Sequence, residues 1–320
     1  MAIWLGEADV RAMLSMPDLI DAMQCALTAF STNQVNQPVR TVIETPSGFF
    51  ASMPAHVATP AALGAKLVTV FDGNARQGLP THLATIALLD PNTGELLAVM
   101  DGRFITEART AAVSAVAVRS LALEKTPVLA IIGSGVQARS HLEALALMRE
   151  FADIRCWSPT RGNLEKLVSE SNRWPIRAMA SAKAAIESAD VVVLVTASST
   201  PVIEDAWVKP GACVVSVGAC RPYQREMDPK LVARGRLVVD SRAAALQESG
   251  DVVQGIREHS FGEEHIAAEL GQVLAGAQPG RIAADQAVVF KSLGLAVEDV
   301  AAAGLVYRRA LQLGKGLTLA

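Results

Sequence analysis

The chain lacks an excess of positive charge: 29 Lys and Arg stand against 32 Asp and Glu, for a net charge of −3. No basic stripe is present, which argues against a nucleic-acid partner. Its four cysteines, Cys25, Cys156, Cys213 and Cys220, have no C-x-x-C spacing and lie in apolar surroundings. They are expected to be reduced and mostly buried rather than paired in disulfides or bound to zinc. None of the five histidines belongs to an H-x-x-x-H pair, so no metal is expected. A long uncharged apolar run is missing from the N-terminal stretch, where Glu7, Asp9 and Arg11 intervene. Neither a signal peptide nor a membrane span is expected there, and the chain reads as soluble and cytoplasmic. Internal repeats and low-complexity tails are also lacking.

The 320 residues, 51% hydrophobic, suffice for two domains with sizeable cores. The most informative stretch is 128–138, where the apolar run Val128-Leu129-Ala130-Ile131-Ile132 breaks into Gly133-Ser134-Gly135-Val136-Gln137-Ala138. Gly133 permits a tight turn after a strand, Gly135 lets backbone N–H groups approach a pyrophosphate, and Ala138 lets the new helix pack closely. A bare G-x-G-x-x-A recurs by chance, so its surroundings must carry the case. They do: β-rich runs at 153–157, 175–179, 190–196, 212–217 and 237–240 alternate with helix-like segments such as 163–171 and 181–188. With the opening strand this makes six, the number of a full doubly wound parallel sheet.

Before this module, candidate strands at 38–44, 49–53, 65–71, 85–89 and 96–101 are joined by turn signals such as Asp72-Gly73-Asn74, predicting a meander-like or mixed sheet. An alanine-rich helix over 105–123 leads into the module, and a helix over 297–311 can cross back onto the first domain. The expected fold is α/β: a Rossmann domain at 116–296, with an α+β domain formed by 1–115 and 297–320.

The second strand of the module ends at Trp157-Ser158-Pro159-Thr160-Arg161, without the carboxylate that usually binds the adenine ribose of NAD. Ser158 and Thr160 can donate to a 2′-phosphate and Arg161 can pair with it, favouring NADPH over NADH. The alternative is that Arg161 is an exposed residue in the first turn of the next helix.

Lys66 lies inside the apolar run 63–70, on either face of a strand. A buried lysine there needs a partner; facing a cleft, it could hold a substrate carboxylate or donate a proton. Arg109 opens a run of Ala, Val and Ser beside Thr110, a setting suited to anion binding. Arg40, taken alone, reads as a surface residue.

Together with Gln37–Val42, the segments 66–69, 78–82, 97–112 and 290–294 and the Gly133 loop closely resemble the ornithine cyclodeaminase/mu-crystallin family over nearly the whole length. The resemblance implies a homodimer formed through the first domain's sheet, with the active site in the cleft between domains. By resemblance, Arg40, Lys66 and Arg109 hold the substrate, with Glu269 as a further carboxylate at the cleft. His82, Thr110, Thr196, Val217 and Ser292 match positions near the cofactor, alongside Gly133, Ser134, Gly135, Val136, Gln137, Ser158, Thr160 and Arg161. Cyclodeaminases and related alanine dehydrogenases carry an Asp in the loop after the fifth Rossmann strand. Cys220 stands in its place here, and Asp228 reads as a helix cap. A thiol in an apolar loop is a poor base. The Gly-Ala-x-Arg-Pro loop is similar to that of the mu-crystallin branch, whose members reduce cyclic ketimines. The expected reaction is therefore reduction of Δ1-pyrroline-2-carboxylate or Δ1-piperideine-2-carboxylate to L-proline or L-pipecolate. The alternatives are an NAD-dependent ornithine cyclodeaminase, an alanine-type dehydrogenase, or an NADPH-bound small-molecule-binding protein. The segment 255–264 reads as an insertion.

Overall fold

The computed structural model describes residues 1–319. It contains two compact units, one built from Met1–Arg109 and the segment from Gly294 onward, the other from Thr110–Leu293. Both junctions fall earlier than the expected 115/116 and 296/297. Arg109 bonds Glu298 and Asp299, and Gly294 accepts from Arg40, all of them in the first unit.

The first unit begins with β1 (Ile3–Leu5), α1 (Glu7–Met13), α2 (Met16–Ser31), β2 (Val35–Asn36), β3 (Thr41–Thr45), β4 (Gly48–Val57), β5 (Ala62–Val70), β6 (His82–Leu89) and β7 (Leu96–Asp101). Within α3 (Arg103–Leu121) the chain passes to the second unit. There follow β8 (Val128–Ile132), α4 (Val136–Ala146), β9 (Asp153–Trp157), α5 (Arg161–Glu170), β10 (Ile176–Ala178), α6 (Ala182–Ile186), β11 (Val191–Leu194) and β12 (Cys213–Ser216). Next come α7 (Pro229–Arg234), β13 (Arg236–Val239), α8 (Arg242–Glu248), α9 (Gly250–Arg257), β14 (Ile266–Glu269), α10 (Leu270–Leu274) and β15 (Val288–Lys291). The first unit is completed by α11 (Ala296–Leu313) and β16 (Leu317–Thr318).

The first unit's mixed sheet has the order β16-β1-β7-β6-β5-β4-β2, with β3 paired to β4. Period-two alternation sets its faces. In β5, Gly64, Lys66 and Val68 are buried while Leu67 is exposed. Helix α11 packs against the buried face, and α2 packs on α11, with Leu19, Ile20, Met23 and Leu27 of α2 buried at helical spacing. Ser15 caps α2 by accepting the N–H of Asp18, and Gly314 ends α11 in the left-handed region at φ 61°. On the opposite face, Ile43–Phe50–Thr69–Leu83 form one cross-strand row. Ile43, Leu67 and Leu83 are 58%, 43% and 43% exposed. The short strands β1 and β16, which extend the sheet beyond β7, were not expected; runs of three and two residues carry no readable alternation.

The second unit's sheet is parallel throughout, in the order β10-β9-β8-β11-β12-β15-β13-β14. It has eight strands rather than the expected six, the additions being β14 and β15. β11, β12 and β15 are buried at every position, as in a sheet covered on both faces. Their C-terminal ends lie in one register row: Trp157, Ile132, Leu194, Ser216, Lys291, Val239 and Glu269.

Candidate active site

The register row explains why residues scattered over the sequence share one edge of the second unit. Ser158, Gly133, Val217 and Ser292 each stand one residue beyond it, and Thr196 two beyond. This is the carboxyl edge of an open α/β sheet, where ligands bind at the switch in strand order. That switch falls at β8 and β11.

Between β8 and α4, Gly133 has φ 125°, and a Cβ there would lie 2.6 Å from the Val195 carbonyl oxygen. Only glycine fits the turn. Gly135 is the N-cap of α4 and makes no side-chain cap bond, and the helix has no acidic residue in its first turn. The first-turn N–H groups and the helix dipole therefore meet no competing carboxylate of that turn. Nearby, the Gln137 Oε1 atom is buried without a hydrogen-bond partner. A glycine turn opening an uncapped helix fits a dinucleotide pyrophosphate. At the end of β9, Thr160 caps α5 without a side-chain bond. Arg161 is 87% exposed and pairs with Glu165 at 2.8 Å. Thr110 is buried in α3 and accepts from Ser114 through its carbonyl. Ser292 is also buried and donates to Asp240.

The first unit gathers a buried ionic cluster. Lys66, 2% exposed, places Nζ 2.6 Å from Asp299 Oδ2. Arg109 Nε lies 3.1 Å from Asp299 Oδ1, and its Nη1 lies 2.8 Å from Glu298 Oε2. Arg40 donates to the Gly294 carbonyl at 2.9 Å. A Cβ on Gly294 would lie 2.4 Å from Arg109 Nη1, so the absence of a side chain there lets both arginines meet one peptide. Arg40 is thus half-buried and engaged, against its solitary reading as a surface residue.

Burial lowers the Lys66 ammonium to about 8, against the opposing pull of Asp299. Burial works to raise the Asp299 carboxyl, but the charges of Lys66 and Arg109 and their hydrogen bonds hold it below the ordinary carboxylate range. His82, at the start of β6 in the same unit, is lowered to about 4 by burial and by the charges of Lys66 and Arg109. It is neutral at pH 7.

Glu298 and Asp299 were missing from the sequence expectations, which named Glu269 as the further carboxylate at the cleft. Glu269 ends β14 in the second unit, where it accepts the Arg242 N–H and forms a capping box with Gln272 over α10. It stands three strands beyond β12, roughly 15 Å at ordinary strand spacing. The signal for Asp299 was the need itself, since two buried cations demand counter-charge. Asp228 caps α7, accepting the N–H of Lys230. All four cysteines are free thiols; burial pushes Cys156 and Cys213 up to about 12, whereas Cys25 is exposed. Among the described residues no helix is long and apolar enough to cross a membrane.

Comparison with known proteins agrees with this geometry. The family model "Ornithine cyclodeaminase/mu-crystallin family" matches residues 3–314. The ketimine reductase mu-crystallin of Rattus norvegicus is 45% identical over 294 residues, covering 90% of this chain and 91% of that protein. The structure of Thermococcus litoralis Δ1-pyrroline-2-carboxylate reductase, in complex with NADH and L-proline, has a TM-score of 0.97 at 35% identity, covering 99% of this chain and 100% of that one. An archaeal alanine dehydrogenase dimer with bound NAD has a TM-score of 0.96 at 30% identity, covering 100% and 99%. The fold, the dinucleotide turn and these relatives define an NAD(P)H-dependent oxidoreductase. The chain belongs to the ornithine cyclodeaminase/mu-crystallin family.

Asp299→Ala leaves Lys66 and Arg109 buried without their shared carboxylate. It should cost about 3–5 kcal/mol in stability. Urea denaturation at pH 7 measures this, and an unchanged midpoint at unchanged slope refutes the pairing. In the wild type, the Asp299 contribution is present above the ordinary carboxylate range and is lost as pH falls through its lowered folded value.

Proposed function

We propose that this protein reduces a cyclic ketimine carboxylate, Δ1-pyrroline-2-carboxylate or Δ1-piperideine-2-carboxylate, to L-proline or L-pipecolate with NADPH. The observation that carries the reading is the first unit's ionic cluster. Three cations, Arg40, Lys66 and Arg109, stand against two carboxylates, Glu298 and Asp299. A buried group that gathers three cations suits a substrate with a single carboxylate and few other charges.

In this reading Arg40 and Arg109 hold the substrate carboxylate. Arg109, braced by two carboxylates, is fixed in orientation before substrate arrives, so little ordering remains to be done on binding. Lys66 keeps a proton on Nζ at neutral pH and supplies it toward the imine nitrogen, with Asp299 holding the ammonium in place. Neutral His82 adds no competing charge. Gly133, Ser134, Gly135, Val136 and Gln137 would hold the cofactor's pyrophosphate, with Thr196, Val217 and Ser292 along the same sheet edge. When bound, the nicotinamide supplies the hydride that reduces the C=N carbon. Ser158, Thr160 and Arg161 would receive the 2′-phosphate, a reading supported by the lack of a carboxylate at the end of β9. The loop after β12 carries Cys220 where cyclodeaminases have a carboxylate, which favours reduction over ammonia release.

A homodimer is the assembly this reading implies. The exposed aliphatic row on the first unit's sheet offers a self-complementary surface, and the archaeal alanine dehydrogenase is a dimer.

Steady-state assays of both imines with NADPH and NADH test substrate and cofactor together. Lys66→Ala should lower turnover by about 10²–10⁴-fold, with cofactor affinity near normal; wild-type turnover in that variant sinks the role. As Lys66 deprotonates near pH 8, kcat/KM in the wild type should fall above that pH. Arg161→Ala should raise KM for NADPH about tenfold and leave NADH untouched, whereas equal effects on both cofactors would remove the phosphate contact. Leu83→Arg should yield a monomer by light scattering, and an unaltered dimer would point to another face.

A further inference from the structure

A second buried ionic group lies beneath the carboxyl edge of the second unit. Glu226, in the loop between β12 and α7, is fully buried. Its Oε1 accepts the Thr196 N–H at 2.7 Å and the Thr196 hydroxyl at 2.8 Å. Its Oε2 accepts the N–H groups of Gly218 at 2.8 Å and Ala219 at 3.2 Å, and the Ser216 hydroxyl at 3.0 Å. One side chain therefore ties the segment after β11 to the segment after β12. Asp251 in turn accepts the N–H groups of Glu226 and Met227, both at 2.9 Å, and its other oxygen lies 3.2 Å from Lys291 Nζ. Lys291 also donates to Ser216 at 3.1 Å. Burial pushes the Glu226 carboxyl above the ordinary range, opposed first by the charge of Lys291.

The two segments also touch directly. A Cβ on Gly218 would lie 1.9 Å from the Thr196 carbonyl oxygen and 2.6 Å from Glu226 Oε1. The backbone has closed around the carboxylate, leaving no room for a side chain. Val217 stands between Ser216 and Gly218, both bonded to Glu226. Thr196 gives its hydroxyl proton to Glu226 and accepts the Ser198 N–H. It therefore contributes to the edge as a fixed shape more than as a hydroxyl donor.

The pyrophosphate turn follows β8, so the residues after β11 and β12 would hold the cofactor's other half. We infer that Glu226 is a positioning residue for the nicotinamide half of the cofactor, holding Thr196 and Val217 in one arrangement while Asp251 and Lys291 hold Glu226. The inference rests on the nicotinamide-cofactor reading above. An amide cannot replace this carboxylate. Accepting at one end, a glutamine side chain in its place would turn its NH₂ against N–H donors at the other and release one of the two segments.

The test is titration calorimetry of wild type, Glu226→Gln and Ser216→Ala with NADPH, NADH and the 2′-phosphorylated ADP-ribose fragment, which lacks nicotinamide. E226Q should weaken NADPH about tenfold or more and leave the fragment within about twofold. S216A, which removes one hydroxyl and keeps the charges, should give the same selectivity at smaller size and covers the case in which E226Q fails to fold. Equal weakening of NADPH and the fragment, or no change in either, overturns the role of Glu226 while wild-type binding upholds the cofactor reading. Wild-type protein that binds neither NADPH nor NADH overturns that reading, and this one with it.

Discussion

Charge taken out of water must be met by charge, and both units are organised around that constraint. In the first, Lys66 and Arg109 are answered by Glu298 and Asp299. In the second, Lys291 is answered by Asp251, with Glu226 alongside. Desolvating any of these groups alone would cost several kcal/mol, more than a single hydrogen bond returns. Each group is therefore retained only with its partners, and each set joins segments distant in sequence. The first joins β5, α3 and α11; the second joins β12, β15, α9 and the loops at the sheet's carboxyl edge.

The two sets differ in the work they can do. The first meets its cations with carboxylates. The second has a surplus of carboxylate, taken up by backbone N–H groups that must stay where they are. A buried lysine and a buried glutamate are thus retained by the same physics.

Much of this was legible in the chain. Glycines at a strand end, followed by a small residue one helical turn on, mark the dinucleotide turn because few other residues fit its backbone. Lys66 announced itself by lying in an apolar run, but strand periodicity says which face a residue takes, not what it meets. Its partner Asp299 lies in the first turn of α11, where acidic residues are ordinary because they suit the helix dipole. That conventional placement hid it. Arg40 finds its acceptor in the Gly294 carbonyl, 254 residues away, a contact that no local pattern encodes. β14 was unreadable for another reason: its Ala267-Ala268 centre has little strand preference and is held by pairing with β13. Glu269, named for the cleft by resemblance, ends that edge strand.

The strand order carries a consequence for synthesis. β15, the last strand of the second unit to leave the ribosome, is inserted between β12 and β13. Until residues 288–291 emerge, the sheet exists as two pieces, each with an apolar edge open to pairing with another chain. The interior of this unit is completed by its final strand, so a nascent chain halted before that point carries a raw seam where the finished molecule has its centre.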